Sequence, residues 1–287
     1  MKILAATDFS KRGDVAVERA IKIAKNIGGG SLTVLHAINS RGFFGAVLGE
    51  KLADQGEKIK AKLEANLAEI AAKSEAKGVK IKAKTAIGDP HEVIAETADQ
   101  IGADLIVIGD HGGFAPSKLL GGTTAQNAID GAKSPVLIAK SPDAENYAQI
   151  LIATDFSEPS WNIARAVLRL FPAAQISLVS LYLAPAEFES LYYDVNAERV
   201  TESLETMRAE TTQKLEDFRS QLNFPPATRL LSRASAYPAE TLAEIASEYD
   251  LIALGTRGTH TSLSIFLGST AEFLIRERER DILVLRS

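Results

Sequence analysis

The chain has 287 residues, of which 46% are apolar and 24% charged, fractions that are ordinary for a soluble globular protein. Its net charge of −5 argues against a free-standing nucleic-acid-binding protein, which would show a basic face. The sequence contains no cysteine, so disulfides and thiolate metal sites are excluded. Asp8 comes too early for the apolar core of a signal peptide, and no apolar run approaches the ~18 residues that span a bilayer. We therefore expect a cytoplasmic protein with neither membrane nor nucleic acid as a partner.

The first half of the chain predicts strands that alternate with helices. Strands are predicted at residues 2–7, 32–38, 79–87, 105–108 and 135–139. Helices are predicted at 10–27, at 52–76, from the Asp89-Pro90 pair onward, and at 123–132. Lysines alternate with apolar residues along 79–87, which is typical of a strand at or near a sheet edge.

The second half repeats this order of elements. Its predicted strands are 150–154, 176–182, 228–233, 251–255 and 282–285, and its predicted helices are 159–170, 201–222, 239–247 and 269–278. Strands joined by helices of this length imply a parallel sheet with right-handed crossovers. We predict an α/β protein with two tandem, doubly wound domains, 1–142 and 147–287, each a five-stranded parallel sheet flanked by helices. The polar stretch 141–146 is predicted as a tight linker.

Two motifs recur along the chain. Gly109-Asp110-His111-Gly112, nine residues, then Gly122-Thr123 returns as Gly255-Thr256-Arg257-Gly258, nine residues, then Gly268-Ser269. The segment Ala6-Thr7-Asp8-Phe9-Ser10 returns as Ala153-Thr154-Asp155-Phe156-Ser157. Both recur in the same order and at nearly the same offset, about half the length of the chain. This pattern indicates a duplicated domain.

The repeated glycines are candidates for a phosphate site. Such a site needs backbone N–H groups that face a concavity, and it gains from the partial positive charge of a helix N-terminus. Ligands of doubly wound folds lie at the carboxyl ends of the strands, which is where both glycine loops are predicted. The alternative is that the glycines only turn a strand into a helix.

Charged residues near these loops also have two interpretations. Asp8 or Asp155 can accept a hydrogen bond from a ribose hydroxyl or an adenine amine, or it can cap the following helix. Arg257, and His111 at the same place in the first half, can face a phosphate or be solvated loop residues.

Neither a metal site nor a catalytic residue is predicted. The four histidines, at positions 36, 91, 111 and 260, are scattered and lack metal-ligand spacing. The sequence offers no plausible Ser-His-Asp or Cys-His set and no GxxxxGK[ST] phosphate loop.

With these motifs, the chain resembles the universal stress protein family in its tandem two-domain form. The family's nucleotide motif is G-x2-G-x9-G-[S/T], and both halves match it. Further matches are the Thr-Asp-Phe-Ser segments, Gly88-Asp89-Pro90, and the closing strands at 135–138 and 281–284. The resemblance implies a Rossmann-like fold of the adenine nucleotide alpha hydrolase type. It also implies bound ATP, with or without Mg²⁺, with the glycine loop around the phosphates and the acid near the adenosine.

The family further implies that main-chain groups at the end of the second strand face the adenine. These groups lie at 36–38 and at 181–182. The complete set of predicted nucleotide-binding residues is Thr7, Asp8, His36, Ala37, Gly109, His111, Gly112, Gly122, Thr123, Thr124, Thr154, Asp155, Leu181, Gly255, Arg257, Gly258, Gly268, Ser269 and Thr270.

Two departures from the family pattern distinguish the halves. An extra glycine, Gly121, precedes the final glycine of the first motif, and this shifts the first loop by one residue. Tyr237 replaces the middle residue of Gly88-Asp89-Pro90 and crowds the rim of the second site. Because Arg257 adds fixed charge, we expect the second half to hold nucleotide more tightly.

Three functions remain open from the sequence. The first is a nucleotide-responsive module in stress tolerance and regulation, whose partner is an adenine nucleotide. The second is a slow ATPase or nucleotide-dependent transferase, and the third is a nucleotide-free dimeric scaffold. The family resemblance also implies that the two halves pack on each other as a pseudo-dimer and that two chains form a homodimer.

Overall fold

The computed structural model describes most of the chain in ten segments. These are residues 1–28, 30–39, 52–76, 78–110, 128–129, 131–140, 147–182, 197–256, 269–277 and 280–286. The chain divides into two units, Met1–Asn146 and Tyr147–Leu285. The predicted linker 141–146 lies outside the described residues.

The described part of the first unit contains five strands and three helices whose two ends are both defined. They are β1 (Lys2–Ala6), α1 (Lys11–Asn26), β2 (Ser31–Ile38), α2 (Leu52–Ala76), β3 (Ile81–Ile87), α3 (Pro90–Ile101), β4 (Leu105–Gly109) and β5 (Val136–Ala139). Residues 128, 129 and 131 are also helical, within the helix predicted at 123–132. The rest of that predicted helix falls outside the described residues.

The described part of the second unit repeats the pattern. Its elements are β6 (Gln149–Ala153), α4 (Glu158–Leu170), β7 (Gln175–Tyr182), α5 (Ala197–Gln221), β8 (Arg229–Ala234), α6 (Pro238–Ala246), β9 (Leu251–Thr256), α7 (Ser269–Glu277) and β10 (Asp281–Arg286). Among these described helices, none is both long and apolar enough to cross a membrane.

The strand order explains where a ligand can bind. In the first unit the order is β3-β2-β1-β4-β5, and in the second it is β8-β7-β6-β9-β10. β1 pairs in parallel with both β2 and β4, and β6 pairs in parallel with both β7 and β9. The chain therefore reverses its direction of winding beside the first strand of each unit, and parallel sheets bind ligands at this switch point.

Buried strands form the core of each unit. Ile3, Leu4 and Ala5 in β1 are fully buried, as are Leu151 and Ile152 in β6. Consecutive buried residues mean that a strand is covered on both faces, as in a parallel sheet flanked by helices. The predicted fold class is therefore confirmed. The lysine-rich strand β3 lies at the end of the strand order, as its alternating lysines predict.

An aspartate fixes the start of the first strand in both units. The Asp104 carboxylate accepts from the Lys2 amide at 2.9 Å. In the same way, the Asp250 carboxylate accepts from the Ala148 and Gln149 amides, each at 2.9 Å. Both aspartates directly precede the strand that pairs with the first strand, so these bonds set the register of the central pair.

A buried pair ties the beginning of the second unit to its last strand. The Tyr147 hydroxyl donates to Asp281 Oδ2 at 2.5 Å, and Asp281 is 0% exposed. The Tyr147 ring also meets the Phe171 ring edge-on, with 5.2 Å between centroids. Removing one partner of such a buried polar pair costs free energy, because the other stays buried and loses a hydrogen bond.

The observed elements differ from the predicted ones mainly at their ends. Helix α5 begins at Ala197, four residues before its predicted start, while β3 begins at Ile81 and not at 79. The Lys80 carbonyl still accepts from the Leu32 amide, but at a long 3.4 Å, so the ladder weakens there. Element ends depend on such marginal bonds, which periodicity does not report.

The first glycine of each repeated motif is required by close packing of a strand on a helix. A Cβ on Gly109 would lie 2.5 Å from the Arg12 carbonyl oxygen in the first turn of α1. A Cβ on Gly255 would lie 2.5 Å from the Pro159 carbonyl carbon in the first turn of α4. Backbone atoms cannot swing aside as a side-chain tip can. This packing accounts for these two glycines, and the phosphate-binding role of the motif stays a prediction.

We expect Gly255→Ala to lower the free energy of unfolding by about 1–3 kcal/mol, the usual cost of overpacking. Gly131→Ala is the control, because Gly131 is exposed in a helix without a left-handed φ, and the one described atom that a Cβ there meets within 4 Å is the Ala95 Cβ at 3.3 Å. Thermal and urea unfolding of both variants measure the effect. Wild-type stability of Gly255→Ala would contradict the close approach of β9 to α4.

Candidate functional site

The candidate site lies at the carboxyl ends of the central strands in each unit. In the first unit these ends bring together Asp8 after β1, His36 near the end of β2, and Gly109 at the end of β4. In the second unit the corresponding positions are Asp155 and Gly255, beside the end of β7. The parallel register therefore places predicted residues from distant parts of the sequence at one edge.

A left-handed phenylalanine follows the first strand in both units. Phe9 has φ 61° and Phe156 has φ 63°, a conformation that a bulky residue adopts only when its surroundings enforce it. The enforcing bond is the same in both cases. The Thr7 hydroxyl accepts from the Phe9 amide at 3.0 Å, and the Thr154 hydroxyl accepts from the Phe156 amide at 3.0 Å.

These threonines are part of the scaffold of the turn. Thr7 and Thr154 are each 6% exposed, and their amides continue the sheet by donating to Leu35 and Val179 carbonyls at 2.9 Å. Their hydroxyls are engaged by the phenylalanine amides. They position the neighbouring acid, which is exposed in both units.

The acid of each turn has a local partner. Asp8 Oδ1 accepts from the Ser10 amide at 2.9 Å, and Asp155 Oδ1 accepts from the Ser157 amide at 3.0 Å. The N-cap of α1 is Ser10, whose hydroxyl accepts from the Gly13 amide at 3.2 Å. The alternative in which the acid itself caps the helix is therefore wrong. The acid instead closes the turn that precedes the cap.

In the second unit the acid is held by additional donors. The Ser160 hydroxyl donates to Asp155 Oδ1 at 2.7 Å and accepts from the Asp155 amide at 3.3 Å. The Ser157 hydroxyl also donates to Asp155 Oδ1, and Ser157 makes no side-chain cap bond to α4. Ser160 is 3% exposed, so its hydroxyl is held inside the turn.

In the first unit, Gly13 stands where the second unit has Ser160. A Cβ on Gly13 would lie 2.6 Å from Thr7 Oγ1 and 2.8 Å from Asp8 Oδ1. The first turn therefore leaves no room for a side chain at this position. The two acids occupy equivalent places but are supported by different chemistry.

His36 supports the turn of the first unit. Its Nδ1 donates to the Thr7 carbonyl at 2.8 Å, and its ring stacks on Phe9 with 4.6 Å between centroids. Burial lowers the pKa of the His36 imidazole from its usual value, while the Thr7 hydrogen bond and the charge of Asp8 oppose part of that shift. His36 is therefore mainly neutral at pH 7, with its Nδ1 proton directed at the turn.

Aromatic packing supports the corresponding turn of the second unit. The Phe156 ring meets Phe218 of α5 edge-on, with 6.1 Å between centroids. Trp161 in α4 lies 4.4 Å from the Phe218 ring and donates its indole N–H to the Phe156 carbonyl at 3.3 Å. Trp161 is the single tryptophan of the chain. Its fluorescence therefore reports on this turn alone.

An ion pair joins α1 to the start of the first glycine loop. Arg12 Nη1 donates to the Asp110 carbonyl at 2.9 Å and lies 3.9 Å from Asp110 Oδ2. No sequence pattern predicts this contact, because the partners are far apart in the chain. Pro159 occupies the place of Arg12 in the second unit, so the pair has no counterpart there.

The ends of the second strands are also fixed to the following turns. The Gly88 amide donates to the Ile38 carbonyl, and the Ser235 amide donates to the Tyr182 carbonyl, each at 3.0 Å. Ala37 and Leu181, where adenine contacts are predicted, are half-buried. Tyr237, next to Ser235 in this turn, is 66% exposed. Its predicted place at the rim is consistent with this exposure.

The predicted site residues fall into two groups. The structure describes Thr7, Asp8, His36, Ala37, Gly109, Thr154, Asp155, Leu181, Gly255 and Thr270 and the backbone of Ser269. The other predicted residues lie outside the described part of the chain, namely His111, Gly112, Gly122, Thr123, Thr124, Arg257, Gly258 and Gly268.

Sequence reasoning missed Ser160, Trp161 and Arg12. Aligning the two halves on their Thr-Asp-Phe-Ser segments would have shown the exchange of Gly13 for Ser160. No local pattern identifies Trp161 or Arg12, because their contacts depend on how the first helix of each unit packs.

The lowered pKa of His36 predicts a specific loss of stability in acid. In the unfolded chain a histidine titrates near pH 6.5. As the pH falls below that value, the unfolded state gains a proton that the folded state still resists, so the His36 contribution to stability falls. Urea unfolding of wild type and His36→Gln at pH 7.5 and 5.5 measures this. The wild type's advantage should shrink at the lower pH, and a constant or growing advantage would contradict the shift.

Comparison with known proteins agrees with this architecture. A model of the universal stress protein family matches residues 1–140 and again residues 146–286. Universal stress protein MJ0577 of Methanocaldococcus jannaschii is 29% identical over 153 residues, which are 48% of this chain and 94% of that protein. Universal stress protein MJ0531 of the same organism is 31% identical over 151 residues, or 50% of this chain and 84% of that protein.

A solved structure is similar over both halves. A universal stress protein from Archaeoglobus fulgidus is 21% identical and has a TM-score of 0.69, with 99% of this chain and 98% of that chain covered. At this identity the likeness shows the fold. Together with the two matches of the family model, it shows that the chain belongs to the universal stress protein family, with one family domain in each half.

Proposed function

We propose that the protein is a nucleotide-responsive binding module whose units each bind an adenine nucleotide, ATP with or without Mg²⁺, at the carboxyl ends of their strands. Asp8 and Asp155 accept hydrogen bonds from the adenosine part of the nucleotide. The glycine loops that begin at Gly109 and Gly255 surround the phosphates. The module acts in stress tolerance through the state of its bound nucleotide.

One observation carries this proposal. Both units hold a bulky phenylalanine in a left-handed conformation directly after an exposed acid, at the switch point of the sheet. Left-handed backbone at a non-glycine residue is unfavourable, and such strain clusters at binding sites, where it fixes a functional group. A pair of equally strained turns in one chain, each presenting a carboxylate at the edge where α/β sheets bind ligands, favours a ligand-binding role.

The chemistry of the described residues favours binding over hydrolysis. In the hydrogen bonds described above, Asp8 accepts from a backbone amide, and Asp155 accepts from a backbone amide and from hydroxyls; these bonds hold the acids in place. Phosphoryl transfer needs a positioned water, charge neutralisation and a base or an arginine finger. The described contacts of each acid position its carboxylate, so we propose the binding module first and keep a slow ATPase as the second candidate.

The first test is binding of ATP and Mg²⁺ to the full-length protein by calorimetry, together with the fluorescence of Trp161. We expect measurable heat and a change in the emission of Trp161, because its indole donates to the carbonyl of the turn that holds Asp155. Asp155→Ala should weaken the fluorescence-detected binding roughly 10- to 100-fold, since hydrogen bonds to a charged group are worth about 1.5–3 kcal/mol.

Asp99→Ala is the matched control. Asp99 is an exposed acid near the carboxyl end of α3, where it pairs with Lys133. It lies away from the strand ends that form the site, so its loss should leave ATP affinity unchanged. If wild type gave no heat and no fluorescence change, the nucleotide-binding function would be rejected. Nucleotide released from denatured protein separates the alternatives, because ADP alone favours an ATPase and the absence of nucleotide favours a scaffold.

The assembly implied by the family resemblance, a pseudo-dimer of the two halves and a homodimer of two chains, stays a prediction. Sedimentation equilibrium would test the second part. We expect twice the mass of one chain, and a concentration-independent mass of one chain would reject the homodimer.

A further inference from the structure

We infer that Ser160 is a positioning residue that preorganises Asp155 for the nucleotide, and that this makes the second unit the tighter site. The inference rests on the proposed function and adds a residue and an order of affinity to it. Ser160 corresponds to Gly13 of the first unit, so the two units differ in the side chain at this position.

Ser160 holds both the side chain and the backbone of the acid. Its hydroxyl donates to Asp155 Oδ1 at 2.7 Å and accepts from the Asp155 amide at 3.3 Å, which forms a closed reciprocal pair. The Ser157 hydroxyl lies 3.4 Å from the Ser160 hydroxyl and donates to the same carboxylate oxygen. Together with the Ser157 amide, three donors fix this oxygen. A carboxylate held in this way has few orientations left to lose when a ligand binds.

The buried position of Ser160 protects the hydrogen bonds of its hydroxyl from water. The residue is 3% exposed and lies in the first turn of α4, so water does not compete strongly for the hydroxyl. Ser160 therefore links the exposed Asp155 carboxylate to the buried part of the unit. Binding sites gain affinity when such a supporting contact locks the group that meets the ligand.

The first unit cannot have this support. Gly13 occupies the equivalent place and has no side chain, and its Cβ would lie 2.8 Å from Asp8 Oδ1. The Asp8 carboxylate accepts from the Ser10 amide, and the Ser10 hydroxyl is used to cap α1 by accepting from the Gly13 amide. In the second unit the equivalent serine hydroxyl is directed to the acid instead. The serine hydroxyl of this turn thus caps the helix in the first unit and donates to the carboxylate in the second.

The test is a double-mutant cycle in the full-length chain, with Asp8→Ala as the common background so that the acid of the first unit is absent. Calorimetry with ATP and Mg²⁺ gives the dissociation constants of the background, of Ser160→Ala, of Asp155→Ala and of the double variant. Ser160→Ala should weaken binding roughly 2- to 10-fold, the effect of freeing one side chain at an interface. The double variant should bind no more weakly than Asp155→Ala, because Ser160 acts through Asp155.

A purely structural role gives a different result. If Ser160→Ala weakened binding by the same factor with and without Asp155, or did not weaken it, the inference would be overturned. Thermal unfolding of each variant checks that it is folded. Should Ser160→Ala fail to fold, Ser160→Gly takes its place, since glycine is the natural residue of the equivalent turn.

The outcomes also separate this inference from the proposed function. Absence of ATP binding by the wild-type chain rejects the function itself. Binding by wild type that disappears in the Asp8→Ala background places the tighter site in the first unit, and this rejects the inference while the function stands.

Discussion

The hydrogen bond from a phenylalanine amide to a buried threonine hydroxyl is the interaction on which the candidate site depends. It holds Phe9 and Phe156 in a conformation that they would not adopt alone. The threonine is itself fixed, because its amide extends the ladder between the first two strands. The backbone strain of the turn is therefore supported by the sheet, and the acid between the two residues projects at the sheet edge as a consequence.

The two units keep this turn but support it with different side chains. In the first unit His36 donates to the Thr7 carbonyl and stacks on Phe9. In the second, the Phe218 ring of α5 meets Phe156 edge-on, the Trp161 ring of α4 packs on Phe218, and Ser180 stands at the position of His36. After duplication, the backbone of the turn was retained while its surroundings diverged. The described support of the first turn therefore contains a titratable imidazole, whereas the ring contacts described for the second turn do not.

The fold could be predicted almost entirely from the sequence, because short apolar runs alternate with helical stripes and the whole pattern occurs twice. The acids were correctly expected at the carboxyl ends of the first strands. Helix capping was the alternative role for Asp8, and the structure gives the cap to Ser10 instead, since the cap depends on which of two neighbouring polar residues reaches the Gly13 amide. Contacts such as His36 with Thr7, or Arg12 with Asp110, depend on strand register and helix placement. Single-sequence periodicity does not encode those distances. The phosphate-binding role of the glycine loops stays a prediction, because most of their residues lie outside the described part of the chain.

The buried bond between Tyr147 and Asp281 has a practical consequence for separating the halves. Tyr147 stands at the very start of the second unit, yet its hydroxyl is the partner of a carboxylate that solvent does not reach. A fragment that began even one residue later would bury the Asp281 carboxylate without this donor. Limited proteolysis or recombinant expression of the second half should therefore yield a more stable product when the cut falls ahead of Tyr147.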